Sequence, residues 1–482
     1  MQNTRIHPLC LLLFFVVLIG NSICTADVKL PKVVSSNMVL QQKSEVKVWG
    51  WADAGEPIRV ACSWLDKITK TQADDKGHWS VMLKTRAAGG PHKIIIAGKN
   101  TVTLNDILFG EVWLASGQSN MEMPLIKVSG AYTGIKDFEN EVSQANFPEI
   151  RLFQAGNFSS KEPLDDVESG IKMYGVPPAA CQWQKCSPET VPTFASTAYF
   201  FAREIHRRLN VPVGIIDASW GGTPAEAWTP LDGLKQLNYT NEAKQATDLP
   251  QKADQKIPSR LYNGMIHPLR NVKIKGAIWY QGEGNSRRAD KYHELFSTMI
   301  TQWRSVFGHE FPFYFVQISP FNYRGLNSAF LREAQLKSLS LPRTGMAVTM
   351  DIGNLTDIHP KNKQEVGRRL ALWALAKDYG HDVAFSGPLY RRSQIKDGKV
   401  IVEFDHATEL STRDGKAPSD FEISGTDGEF HAAKAVIEGS TVIVSSEKVK
   451  EPQSVRYAFS NQAMPNLTNK AGLPASSFRT SK

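Results

Sequence analysis

Between residues 46 and 97 apolar and polar positions alternate along the chain. Val46-Lys47-Val48-Trp49, Ile58-Arg59-Val60-Ala61-Cys62, His78-Trp79-Ser80-Val81-Met82-Leu83 and His92-Lys93-Ile94-Ile95-Ile96-Ala97 are the runs, and Gly, Asp and Pro separate them. Side chains of a strand point to its two faces in turn, so such runs predict half-buried strands. Several at this spacing predict a small β-sandwich-like domain over residues 27–106. Near Ile107 the pattern changes. Apolar runs at Glu111–Ala115, Val213–Ala218, Gly276–Tyr280, Phe313–Ile318 and Met346–Met350 now alternate with segments of helical period, Thr197–Leu209 and Lys363–Lys377 among them. In the last, Val366, Leu370, Trp373 and Leu375 mark one apolar face, and Glu365 and Arg369 are spaced to pair. Strands apolar on both faces, alternating with helices, predict an α/β domain over 107–381: a parallel sheet with helices on both faces. Residues 120–190 and 225–270 are less regular and are expected to form loops around a cleft. After Asp382 the strand pattern returns at Lys399–Phe404, Thr441–Val444 and Val455–Phe459, which predicts a C-terminal β-rich region over 382–482.

Composition changes this picture little. At 482 residues the chain exceeds one ordinary core. Its 41% hydrophobic and 22% charged residues fit a globular protein. The formal charge of +8 is scattered, with no basic stripe interleaved with aromatics, so no nucleic-acid partner is expected. Residues 1–26 read as a secretory signal: Arg5 precedes the apolar run Leu9–Gly20, and a small residue stands at Ala26. No basic stop-transfer cluster follows, so the expectation is an exported protein, periplasmic or extracellular, with no stable membrane span. Beyond that segment remain Cys62, Cys181 and Cys186. Cys181 and Cys186 are close enough to bridge around Trp183, and Cys62 is expected as a buried free thiol. The spacing matches no zinc motif.

Candidate chemistry gathers at one edge of the predicted sheet. In open parallel sheets, sites form outside the carboxyl ends of the strands. Ser119 follows the first core strand through Ser116-Gly117-Gln118, where a turn beside a glycine can hold a hydroxyl clear of the sheet. Gly221-Gly222-Thr223 follows the second strand, and Gln281-Gly282-Glu283 the third. Asp351 follows the fifth, with Asp357-Ile358-His359 shortly after. Each has a bland reading: a helix cap, a tight turn, a solvated acid, a surface histidine. Their collection at one edge favours a site.

Four blocks, Gly117-Gln118-Ser119-Asn120, Ser219-Trp220-Gly221-Gly222-Thr223-Pro224, Trp279-Tyr280-Gln281-Gly282-Glu283 and Asp357-Ile358-His359-Pro360-Lys361, resemble the sialate O-acetylesterase family, a branch of the SGNH hydrolase superfamily. Asn466-Leu467-Thr468-Asn469 through Gly472-Leu473-Pro474-Ala475 adds to the resemblance, which covers nearly all of the chain beyond the signal. It implies an SGNH-type sheet, Ser119 as nucleophile and His359 as base. It also implies an oxyanion hole formed by the Ser119 amide, a glycine amide at Gly222 and the Gln281 side chain. Many superfamily members place an orienting aspartate three residues before the histidine. Here Thr356 holds that position and Asp357 stands two before, which leaves Asp357, Asp351, Glu283 or a main-chain carbonyl to orient the ring. The implied reaction is removal of an O-acetyl group from an acetylated sugar, most naturally sialic acid, through a serine acyl-enzyme. It needs neutral imidazole, so activity should fall below about pH 6, and it needs no metal or cofactor. Acetylated xylan or another plant glycan is the alternative substrate. A carbohydrate-binding protein without catalysis is the alternative of another class, and a peptidase is a third. Trp183, Trp220 and Trp228 could stack on sugar rings or fill cores, and Arg203 or Arg287 could pair with a sialate carboxylate. The sequence leaves the oligomeric state open.

Overall fold

The computed structural model describes residues 27–170, 180–251 and 254–480. The expected signal segment lies outside them. The central element is a single strand, Thr101–Gly117, of 17 residues. Its first half pairs antiparallel with Gly89–Ala97, and its second half runs parallel between Val213–Ser219 and Gly276–Tyr280. One strand therefore belongs both to the N-terminal β region and to the α/β sheet, and the boundary read between residues 106 and 107 falls inside it.

The α/β sheet runs in the order Thr344–Ala347, Phe313–Val316, Gly276–Tyr280, Thr101–Gly117, Val213–Ser219, Phe147–Gln154, Gln184–Cys186. All pairs are parallel except the last. Side chains alternate between two apolar layers. Trp113, Ala115, Ile215 and Ile278 pack with Phe201 of the helix Ser196–Leu209 and Leu370 of the helix Lys363–Asp378. Val112, Leu114, Ile216, Trp279 and Phe313 face the other way, with Phe296 and Trp303 of the helix Ala289–Val306. This is the expected parallel sheet with helices on both faces. The runs at Phe313–Ile318 and Met346–Met350 form shorter or displaced strands, Phe313–Val316 and Thr344–Ala347.

The regions expected as loops contain regular structure. Phe147–Gln154 is a sheet strand, and 225–270 holds the helices Leu231–Gln236 and Thr240–Asp248. The strand escapes a pattern reading because Arg151 sits inside it. Arg151 is buried, and it is satisfied by Asp106 Oδ1 (3.0 Å) and the Pro148 carbonyl (2.7 Å).

In the N-terminal region Glu45–Trp51 pairs antiparallel with His78–Lys84. Their inward residues Val46, Val48, Val81 and Leu83 share a core with Ile58, Val60, Ile94 and Ile96. The C-terminal region has two four-stranded antiparallel sheets. It docks on the α/β domain through buried Arg332, whose guanidinium donates to Ser477 Oγ and to the carbonyls of Ala458 and Ser460.

The disulfide expectation is corrected. Cys181 and Cys186 are not bridged to each other, and Cys62 and Cys186 are buried thiols. They lie in different apolar layers, and Cys186 Sγ is 3.5 Å from the Ala145 carbonyl. Burial pushes the Cys62 and Cys186 thiols up to about 12.

Candidate active site

The chain leaves the strand Thr101–Gly117 toward the Phe147–Gln154 side. It leaves the neighbouring strand Gly276–Tyr280 toward Phe313–Val316, the opposite side. Connections that diverge from adjacent carboxyl ends open a crevice there. Gly117, Ser219 and Tyr280 are level across it. Gly117 has φ +141, and a Cβ on it would lie 2.3 Å from the Tyr280 carbonyl oxygen. Only glycine lets the chain turn this close to the next strand. The turn delivers Ser119 as the first residue of the one-turn helix Ser119–Glu122. Among the described residues its hydroxyl has no hydrogen-bond partner.

The Gly-Gly turn is held against this helix. The Gly221 amide donates to Glu122 Oε2 (2.7 Å). A side chain at Gly221 would bring its first carbon 3.2 Å from Ser119 Cβ. Glu122 also accepts from Tyr132 Oη and Asn157 Nδ2, each at 2.7 Å. Burial pushes its carboxyl above the usual range, against those three donors. Gly221 is thereby committed, whereas the amide of Gly222, at φ +71, makes no hydrogen bond among the described residues.

Asn120 joins this turn to the histidine loop. Its Nδ2 donates to the carbonyl of Ile358 (3.0 Å) and to Glu283 Oε1 (2.7 Å). The residue after Ser119 is thus bonded to the residue before His359. The His359 ring packs edge-on against Tyr132, with centroids 5.1 Å apart. Its Nε2 is buried without a hydrogen-bond partner, so no hydrogen bond yet joins it to Ser119. Asp357 Oδ1 accepts the His359 backbone amide (2.9 Å) and lies 3.6 Å from Nδ1. Its second oxygen accepts from Thr133 Oγ1. Burial, reinforced by the Lys363 charge and opposed by Asp357, holds the imidazole down to about 4. The ring therefore stays neutral well below pH 6, lower than an unperturbed histidine would.

Other sequence candidates lie elsewhere. Asp351 makes a two-oxygen ion pair with Arg369 (2.7 Å each), which binds it away from His359. Gln281 is buried. Its Nε2 donates to the Thr223 carbonyl (3.1 Å) and Asn285 Oδ1 (2.8 Å), so both amide hydrogens are spent within the loop. Glu283 reaches the site through Asn120. Trp183, Trp220 and Trp228 are all core residues. Arg203 pairs with Glu141 and lies over the Phe200 ring, whereas Arg287 is exposed with no ion pair among the described residues. Sequence reading missed Asn120, Glu122, Tyr132 and Lys363 as parts of the site. The block Gln118-Ser119-Asn120 held the only signal for one of them.

The family described as "Carbohydrate esterase, sialic acid-specific acetylesterase" matches residues 110–376. The sialate O-acetylesterase of Rattus norvegicus is 29% identical over 453 residues, covering 81% of each chain. That of Homo sapiens is 29% identical over 434 residues, covering 81% of this chain and 79% of its own. A solved structure of a carbohydrate acetylesterase from Xanthomonas citri superposes with a TM-score of 0.84 at 38% identity. It spans 95% of this chain and 100% of its own. Fold and relatives define an esterase hydrolase that removes O-acetyl groups from sugars. The chain belongs to the sialic acid-specific acetylesterase family of carbohydrate esterases.

Proposed function

We propose that this esterase is exported and removes O-acetyl groups from sialic acid by a serine acyl-enzyme mechanism. The observation that supports the mechanism is the bond from Asn120 to Ile358, which ties the residue after Ser119 to the residue before His359, whose Nε2 has no partner. A buried polar atom without a partner is costly and rare, and a hydrogen bond donated by the Ser119 hydroxyl in the substrate complex would satisfy it. In the reaction Ser119 Oγ attacks the acetyl carbonyl carbon as its proton passes to Nε2. The tetrahedral oxyanion takes hydrogen bonds from the amides of Ser119 and Gly222. The carbon–oxygen bond to the sugar then breaks, and the imidazolium returns its proton to the leaving sugar oxygen. Water, deprotonated by the same imidazole, attacks the acetyl-serine carbon; the bond to Ser119 Oγ breaks, the imidazolium returns the proton to Oγ, and acetate leaves. Asp357 restrains the loop at the His359 amide and lies beside Nδ1, which supports the forming imidazolium. A Gln281 donor would first have to exchange its two internal bonds. The remaining amides already serve the oxyanion, so Gln281 supports the hole by holding the Thr223 turn.

Acetate release from 9-O-acetyl sialic acid, acetylated xylan and a simple acetyl ester tests the sugar. The expected order puts the sialate first. Release from xylan with none from the sialate would reassign the substrate. Export rests on the charge and apolar pattern of residues 1–26 and on the small Ala26. Among the described residues no helix is long and apolar enough to cross a membrane. Protein recovered outside the cytoplasm should begin near Asp27, as read by N-terminal sequencing. An intact Met1 there would contradict cleavage.

A further inference from the structure

Lys363 opens the helix Lys363–Asp378 and is wholly buried. That is a poor place for a cation. The helix N-terminus carries partial positive charge, and the side chain is shut off from solvent. A packed apolar side chain would suit stability as well or better. What the ammonium does touch is the site. Its Nζ donates to Asn120 Oδ1 at 2.5 Å and lies 5.3 Å from the centre of the Tyr280 ring. The same Asn120 amide holds Glu283 Oε1 and the Ile358 carbonyl. Glu283 Oε2 is sealed without a partner. One buried cluster thus bonds to the residue after the nucleophile, to the loop after Gly276–Tyr280 and to the residue before the base.

We propose that Lys363 is a positioning residue of the hydrolytic site. Through Asn120 its ammonium fixes the Ser119 turn against the His359 loop, and it presents a positive charge to the imidazole. This rests on the reading of Ser119 and His359 as nucleophile and base. The charged and titratable groups around the ring are few. Asp357 lies on its own loop, and Lys363 on the helix that follows. Behind the Tyr132 ring lies Glu122. Lys363 in turn faces Glu283 and Asp357, which oppose the burial that pulls it down to about 7. Asp357 raises the proton affinity of His359 and Lys363 lowers it, burial being the larger effect. Removing the Lys363 charge should therefore make His359 protonate at a higher pH.

The test measures kcat, KM and the pH profile of kcat/KM with 4-nitrophenyl acetate. The forms compared are the wild type, Lys363→Gln, Lys363→Met and Ser119→Ala, with a melting curve for each. The wild-type acid limb should lie nearer pH 4 than pH 6.5. Lys363→Gln keeps a donor for Asn120 without the charge. It should hold kcat within about tenfold and move the acid limb up by roughly one pH unit. Lys363→Met removes the donor as well and should lose kcat by about 10²-fold with KM little changed. Should Lys363→Met fail to fold, the acid limb of Lys363→Gln decides alone. An unmoved limb in folded Lys363→Gln overturns the proposal, even if kcat drops, because a merely structural lysine would give that result. An active Ser119→Ala would instead overturn the nucleophile assignment beneath it.

Discussion

Ser119→Ala is expected to lower kcat for acetyl esters by about 10⁴-fold or more, roughly 5 kcal/mol of transition-state stabilisation, while leaving the melting temperature unchanged. The two halves of this expectation have separate grounds. No side-chain hydrogen bond is lost, since the Ser119 hydroxyl has none among the described residues, and the turn is set by Gly117 and by the Gln118 amide on the Tyr280 carbonyl (2.9 Å). Alanine also suits the first position of a helix. The covalent route, by contrast, loses its nucleophile, because the other oxygen beside the Gly-Gly amides, Glu122 Oε2, is already held by Gly221 and Tyr132. Residual catalysis above water would come from the oxyanion donors and binding alone. Acetate release and a burst of alcohol product read the first half, and a thermal melt reads the second. A variant with wild-type turnover would mean that the ester is attacked by some other group.

Gly117→Ala should damage fold and activity together. The added carbon would sit 2.3 Å from the Tyr280 oxygen, 2.8 Å from its carbonyl carbon and 3.0 Å from its nitrogen. All three are backbone atoms of the adjoining strand, so no rotamer can relieve the contact. The φ of +141 adds a second cost for any side chain. Overpacking and strain together amount to about 3–5 kcal/mol, or a melting temperature lower by roughly 10 °C. The strands must part where Gln118 bonds to Tyr280, and that is where the nucleophile turn is anchored. Calorimetry checks the stability, and kcat/KM of the surviving folded fraction checks the site. A variant within about 1 kcal/mol of wild type would mean that the strand ends have slack.

Much of this arrangement could be read from residues alone, and the reasons differ from place to place. Gly276–Tyr280 was legible to the residue because five residues without a charge stand between the polar neighbours Lys275 and Gln281. The helix Lys363–Asp378 was legible from its apolar period. Ser119 and His359 stood out because strand ends concentrate chemistry in such sheets. Phe147–Gln154 was not, since a proline, a glutamate and an arginine break its alternation, and its burial depends on Asp106, far back in sequence. Lys363 was invisible for a similar reason. In Lys361-Asn362-Lys363-Gln364-Glu365 it reads as one more solvated charge, and only the meeting of Asn120 with Glu283 reveals what it serves. The cysteines misled because nearness in sequence says nothing about which apolar layer a side chain enters. Asp351 misled because a strand-end acid can equally be claimed by a helix arginine, here Arg369.

The strand Thr101–Gly117 has a consequence for how such an enzyme can be rearranged. Accessory modules joined by a linker can be swapped or trimmed without touching the chemistry. Here the accessory sheet and the nucleophile turn lie on one unbroken backbone, hydrogen-bonded to neighbouring strands along its length. A cut between them would sever a ladder, not a tether. Grafts and deletions should therefore succeed only where they keep that strand whole, and disturbance at its far end would be felt at the serine as a shift in register.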